Sequence, residues 1–167
     1  HPPMSEEMIL NRVGITAEEK IKHYSQARFF NHAWKNKEHL IHIGTLSGKT
    51  VEAISNGMMR QPVEIKINKM VLDYDLLFII GPTFPHEVVG FSGGNKYLFP
   101  GISGSEIIDM FHWLGALITS PRIIGNAYTP VRAVVDKAAK FIKMEKYCFS
   151  LVVKGHDDLA GLYFGSP

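Results

Sequence analysis

Read as a sequence, this chain belongs to the α/β class, with a layered, largely parallel or mixed sheet flanked by helices. Three observations carry that reading. Residues 63–67 alternate, with Val63, Ile65 and Ile67 on one side and Glu64 and Lys66 on the other, the period of a half-buried strand. Residues 76–80 are a continuous apolar run of strand length, the pattern of a strand buried on both faces with helices above and below. Ile107, Ile108, Phe111, Leu114 and Leu117 recur at helical spacing soon after. Strands and helices therefore alternate along the chain.

The remaining elements follow from local signals. Ser5 precedes Glu6, Glu7 and the apolar Met8, Ile9 and Val13, and Gly14 ends the pattern, which predicts a short capped helix with acidic residues at its positive end. Thr16 and Glu19 stand in capping-box positions and open a second helix running to about Tyr24. Residues 40–44 read as a strand. Ser47-Gly48-Lys49 reads as a turn, with residues 51–59 a possible short helix. Ser103 or Ser105 caps the helix that runs to about Ile118. Thr129-Pro130 starts another, with Pro130 at the favoured first position and Val131, Val134, Val135, Ala138, Phe141 and Ile142 on its apolar face. Residues 147–153 read as the last strand.

The chain has 167 residues, a length that suits a single α/β domain over 1–167 or most of one. Hydrophobic content of 46% with 20% charged residues describes an ordinary globular core. A formal charge of +2, with no stripe of basic residues, gives no footprint for nucleic acid. Cys148 is the only cysteine, so no internal disulfide forms and a reducing, cytoplasmic setting is expected. No run approaches the ~18 apolar residues of a membrane span, and no signal peptide is visible. The chain opens on His1-Pro2-Pro3 rather than Met, as an internal piece, a processed product or a leftover tag residue would.

The most informative segment runs from Pro85 to Gly101. It carries His86, Lys96 and the glycines Gly90, Gly93, Gly94 and Gly101, in an order too irregular for a helix or a long strand. It follows a strand and precedes a helix, the arrangement that presents backbone N–H groups to an anion. The dinucleotide pattern Gly-x-Gly-x-x-Gly is absent, and Lys96 is followed by Tyr97 rather than Ser or Thr, so this is not the nucleotide-triphosphate loop. Taken alone, the same pattern also describes a tight surface turn with a solvated lysine. Lys96 has three chemical options: pairing with a phosphate or carboxylate, acting as a base if burial lowers its pKa, or covalent attachment to a cofactor. His86, just past a strand end, suits proton transfer or metal binding. His112, between Phe111 and Trp113, reads either as a satisfied core histidine or as a metal ligand needing donors from elsewhere.

Pro85-His86, then Gly90-Phe91-Ser92-Gly93-Gly94-Asn95-Lys96, then Pro100-Gly101 resembles the nickel-dependent lactate racemase family of 2-hydroxy acid racemases and epimerases. Weaker similarity extends to Asn31-His32, to Gly44-Thr45-Leu46-Ser47-Gly48 and to Asp73-Tyr74-Asp75-Leu76. It also reaches the ending Leu159-Ala160-Gly161-Leu162. The resemblance implies an isomerase acting on a small 2-hydroxy acid by hydride transfer to a nickel-pincer nucleotide, nickel pyridinium-3,5-bisthiocarboxylic acid mononucleotide. It would make Lys96 the tethering residue, with Ser92, Gly93 and Gly94 in the cofactor-binding loop, His112 the nickel ligand and His86 one of two catalytic histidines flanking the substrate. His1 would be the second, although Pro2 stands where the family usually has arginine. The resemblance further implies cofactor biosynthesis proteins as partners and a second domain in a larger enzyme, without which this stretch would lack turnover and would lack loaded cofactor. Two other readings stay open: a phosphate- or nucleotide-binding domain without catalysis, and a hydrolase with a zinc-bound water.

Overall fold

The computed structural model describes residues 3–155 and 158–167. It divides into two compact units, His1–Ala33 and Trp34–Pro167. The first unit contains α1 (Glu6–Val13) and α2 (Ala17–His23). Ser5 Oγ accepts from the Met8 N–H at 3.2 Å, and Gly14 closes α1 as expected. Thr16 and Glu19 form the capping box: the Glu19 N–H donates to Thr16 Oγ1 at 3.1 Å and the Thr16 N–H to Glu19 Oε2 at 2.9 Å.

In the second unit, β1 (Leu40–Leu46) and β2 (Val63–Asn68) pair antiparallel, with α3 (Gly48–Ile54) between them. The next strand, β3 (Leu76–Thr83), leads into a tiny antiparallel pair, β4 (Pro85–His86) and β5 (Gly90–Phe91). Then come α4 (Ser105–Ile118), α5 (Ser120–Ile123) and α6 (Pro130–Ala139). The chain closes with β6 (Glu145–Val153) and β7 (Leu159–Gly165). The strand β6 pairs parallel with β3, from Leu76 opposite Glu145 to Thr83 opposite Val152, and antiparallel with β7. The class is α/β with mixed strand pairing, as expected.

Several local expectations shift. Ser47-Gly48-Lys49 is not a free turn: Ser47 Oγ accepts from the Thr50 N–H at 3.2 Å and caps α3. Neither Ser103 nor Ser105 caps α4; Gly104 occupies that position, and the Ser103 hydroxyl donates to Pro100 O at 3.1 Å. The strand at 145–153 is not the last, because β7 adds to its free edge. The largest departure concerns β3. Its inner residue Ile79 is buried, but Phe78 and Ile80 on the other face are 56% and 67% exposed. Phe78, Tyr147, Phe149 and Phe164 form an aromatic cluster across β3, β6 and β7, with ring centroids 4.7 to 6.0 Å apart. A continuous apolar run cannot tell one covered face from two, and here only one is covered.

The core joins β2 to α4 and α6. Ile65, Ile67, Ile107, Phe111, Leu114, Val131, Val134, Val135 and Ala138 lie in one cluster. Each large aliphatic or aromatic side chain so buried contributes about 1.5–3 kcal/mol relative to exposure. That cluster fixes α4 and α6 as rigid supports on which the 85–101 segment is laid. Among the described residues, no helix is long and apolar enough to cross a membrane.

Candidate active site

The 85–101 segment is fastened to β3 on one side. Ser92 does most of this: its hydroxyl donates to Pro82 O at 2.8 Å and accepts from the Phe84 N–H at 3.0 Å. The Ser92 N–H returns to Phe84 O at 2.9 Å. The side chain is buried and both hydroxyl roles are spent on backbone, so Ser92 shapes the loop. Tyr97 crosses the strand end, its hydroxyl donating to Pro82 O at 2.9 Å.

Two glycines of this loop are dictated by space. Gly90 has φ 97°, and a Cβ there would lie 1.8 Å from Asn126 O. Gly93 has φ 89° and ψ 175°, and a Cβ would lie 2.5 Å from Thr83 Oγ1. Both are conformations that side chains rarely adopt. Past Gly93 the chain turns through a short 3₁₀ helix, Gly94–Tyr97, closed by Lys96 N–H to Gly93 O at 3.3 Å. This turn sets the direction of the Lys96 side chain.

Lys96 is partly buried, and its amine has no hydrogen-bond or ion-pair partner among the described residues. Burial first, and the Arg132 guanidinium second, hold its pKa below the ordinary lysine value, with Glu87 partly opposing. His86 is also partly buried. Its ring packs edge-on against Phe111, centroids 6.3 Å apart, and its Nδ1 accepts from the Val88 N–H at 3.1 Å. An Nδ1 that accepts carries no proton, so in the neutral ring the proton sits on Nε2. Burial lowers the His86 pKa, and the positive charge of Lys96 lowers it further. Glu87 opposes, with a carboxylate oxygen 3.7 Å from Nδ1, while Arg132 and His112 add to the lowering.

His112 lies on α4 directly after Phe111, with ring centroids 5.5 Å apart. It is exposed, which removes the reading as a buried core histidine. Its Nδ1 lies 2.8 Å from Ile108 O; a carbonyl can only accept, so Nδ1 carries the proton and the Nε2 lone pair is left outward. His112 lines an open groove of about 990 Å³ with Glu64, Glu106, Asp109 and Trp113. Neither His86 nor Lys96 lines that groove. What links the three is electrostatic: the charges of Lys96 and, more weakly, His112 both act on His86, while His112 alone of the three faces the groove. His1 lies outside the described residues.

The sequence reading missed the groups that hold the loop from its far side. Thr129 Oγ1 donates to Val89 O at 3.0 Å, and Asn95 Nδ2 donates to Asp136 Oδ1 at 3.0 Å. Arg132 donates to Gly93 O at 3.3 Å and to Phe91 O. Arg132 and Asp136 sit on α6 and Thr129 caps it, some forty residues away, and only Thr129 announced itself, as a helix cap.

Comparison with known proteins places this geometry in context. Residues 3–123 match the family described as the lactate racemase N-terminal domain. The lactate racemase of Thermoanaerobacterium thermosaccharolyticum is 31% identical over 83 residues, covering 50% of this chain and 19% of that protein. The lactate racemase of Lactiplantibacillus plantarum is 33% identical over 87 residues, covering 52% of this chain and 20% of that protein. The matched stretch, about half of this chain, thus covers about a fifth of the length of each of these curated relatives. Among solved structures, a Thermotoga maritima protein superposes with TM-score 0.85 at 32% identity, over 98% of this chain and 40% of that one. The lactate racemase apoprotein of T. thermosaccharolyticum superposes with TM-score 0.70 at 22% identity, over 99% of this chain and 35% of that one, a likeness of fold. With the match running over most of its length and through the His86–Lys96 loop, the chain belongs to the lactate racemase N-terminal domain family.

Proposed function

We propose that the protein to which these residues belong racemises or epimerises a small, lactate-like 2-hydroxy acid, using a nickel-pincer nucleotide tethered to Lys96. The observation that carries this reading is the Lys96 amine itself: partly buried, held by a rigid loop, depressed in pKa and left without a partner. A lysine kept only for solubility would reach water or a carboxylate.

The residues present fit such a group. Gly93 and Gly94, both at positive φ, give the loop its turn ahead of Lys96, and Ser92 fastens that loop to β3. The outward Nε2 of His112 is a neutral imidazole donor suited to nickel. Among the described residues no three His, Cys, Asp or Glu side chains gather to hold a metal, so a metal on His112 would take further donors from elsewhere, a part that the arms of a pincer cofactor would fill.

When bound, that cofactor supplies the hydride acceptor; the chain supplies position and proton control. His86 takes and returns the proton of the substrate hydroxyl. The neutral ring with its proton on Nε2 has no lone pair there to accept with. To take the hydroxyl proton at Nε2, the ring first moves its own proton to Nδ1, exchanging the Val88 N–H bond for an approach to Glu87 Oε2, 3.7 Å away. The imidazolium formed on taking the substrate proton is the form that returns it. A second histidine on the opposite side serves the other enantiomer, a role the family resemblance gives to His1. The lowered pKa of His86 keeps the resting ring neutral near pH 7, as a base must be.

The 19% and 20% coverage of the curated relatives supports a larger enzyme in which a further domain closes the site. In that case the 167 residues alone would not turn over, and separate biosynthetic proteins in the cytoplasm would load the cofactor. Intact mass and peptide mapping of the whole protein from a cofactor-making host test the reading. A covalent adduct on Lys96 with nickel present is the expected result; fully active enzyme with Lys96 unmodified refutes it.

A further inference from the structure

We propose that Arg132 is the positioning residue of this site: from α6 its guanidinium grips the carbonyls of Phe91 and Gly93, holds the loop in the shape that presents the Lys96 amine, and stands as a fixed cation beside it.

The helix and the loop are bonded in step. Thr129, the N-cap of α6, and Arg132 and Asp136 within it lie three and four positions apart, on one side of the helix. Thr129 bonds to Val89, Arg132 to Phe91 and Gly93, and Asp136 to Asn95. Every second loop residue from 89 to 95 is therefore held by α6, up to the residue before the lysine. The α6 helix is rigid because Val131, Val134, Val135 and Ala138 on its other face are buried in the core.

The residue type matters. Two carbonyls two residues apart need two diverging N–H groups on one planar head, which guanidinium has and ammonium lacks. Asp136, one turn further along α6, offsets the cost of burying that charge. The charges acting on Lys96 are then Arg132 from α6 and Glu87 from the loop, and Lys96 in turn acts on His86. Arg132 disfavours the protonated amine, and only the unprotonated amine is a nucleophile. One side chain thus fixes the loop that presents the amine and adds to burial in favouring its reactive form. Arg132 lies beyond the residues 3–123 that match the family. The clamp is read from geometry alone; its purpose rests on Lys96 being the attachment point.

The test uses the cofactor-free full chain, as wild type, Arg132→Met and Arg132→Lys, each checked for fold by circular dichroism. Hydrogen exchange reads the amides of residues 91–96. Acetic anhydride labelling across pH, followed by peptide mass spectrometry, reads the Lys96 amine against the exposed Lys49. Loss of two charge-assisted bonds in Arg132→Met should raise loop exchange about tenfold or more and move Lys96 labelling to higher pH. Arg132→Lys keeps the cation and loses the fork, so exchange rises while the labelling midpoint stays near wild type. Unchanged exchange in a folded Arg132→Lys, or in Arg132→Met, overturns the clamp. Equal midpoint shifts in both variants overturn the charge role. Because no cofactor is involved, an unmodified Lys96 in the loaded enzyme would defeat the tethering reading while leaving this result to stand or fall separately.

Discussion

Replacing Gly93 by alanine isolates what the loop costs to build. Gly93 sits at φ 89° and ψ 175°, a region essentially reserved for glycine, so a side chain there costs about 1–3 kcal/mol in backbone strain. The new Cβ would also lie 2.5 Å from Thr83 Oγ1, an overlap that adds about 1 kcal/mol because a hydroxyl on one side chain yields more easily than backbone. The sum, about 2–4 kcal/mol, should lower the urea midpoint by about 1–2 M at an unchanged slope. Thr83→Ala separates the two parts. It removes Oγ1, while Thr83 Cβ is 3.5 Å from the new atom, an ordinary contact. The double variant should therefore recover only the overlap. The effect reaches the site, because Gly93 O accepts from both the Lys96 N–H and Arg132. A single variant within about 0.5 kcal/mol of wild type, or full rescue by Thr83→Ala, would falsify the claim that this backbone is strained.

Four further outcomes follow from the same geometry. Ser92→Ala strands the Phe84 N–H and leaves Pro82 O with the Tyr97 hydroxyl as its donor, and should cost about 1–3 kcal/mol in thermal unfolding, far more than an exposed serine would. His86 should titrate below 6.5 by NMR with its neutral proton on Nε2; the unfolded ring binds a proton more readily, so its contribution to stability is complete above pH 6.5 and is lost as pH falls below it through the folded value. Lys96→Met removes the positive charge that, after burial, most lowers His86 and should move that midpoint upward; no change, or a fall, counts against the proximity of the two groups. The uncovered apolar face of β3, β6 and β7 should bind a hydrophobic dye, and Phe78→Ser with Ile80→Ser should reduce that binding at little cost in stability, since both are already more than half exposed.

What could be read from residues alone was whatever a few neighbours settle among themselves. Ser5, Thr16 with Glu19, and Thr129 with Pro130 each start a helix because the donors they satisfy are within four positions. The alternation at 63–67 put Val63, Ile65 and Ile67 inside, because the pleat leaves no other choice once one face is buried. The crowding of glycines with His86 and Lys96 marked the site for the same reason, since glycine at Gly90 and Gly93 is a backbone requirement written into the chain. Folding decided everything that depends on partners far along the sequence. Whether Leu76 to Ile80 is covered on one face or two depends on which layers pack against it. Ser92 proved to be a fastening because Pro82 and Phe84 come within reach, and His112 an exposed imidazole because Phe111 and Leu114 already fill the core side of α4. Arg132 was invisible because its partners lie some forty residues away and carbonyls leave no trace in a sequence. Hydrogen-bond direction, tautomer and charge at this site are properties of long-range approach, and only the packed chain supplies that approach.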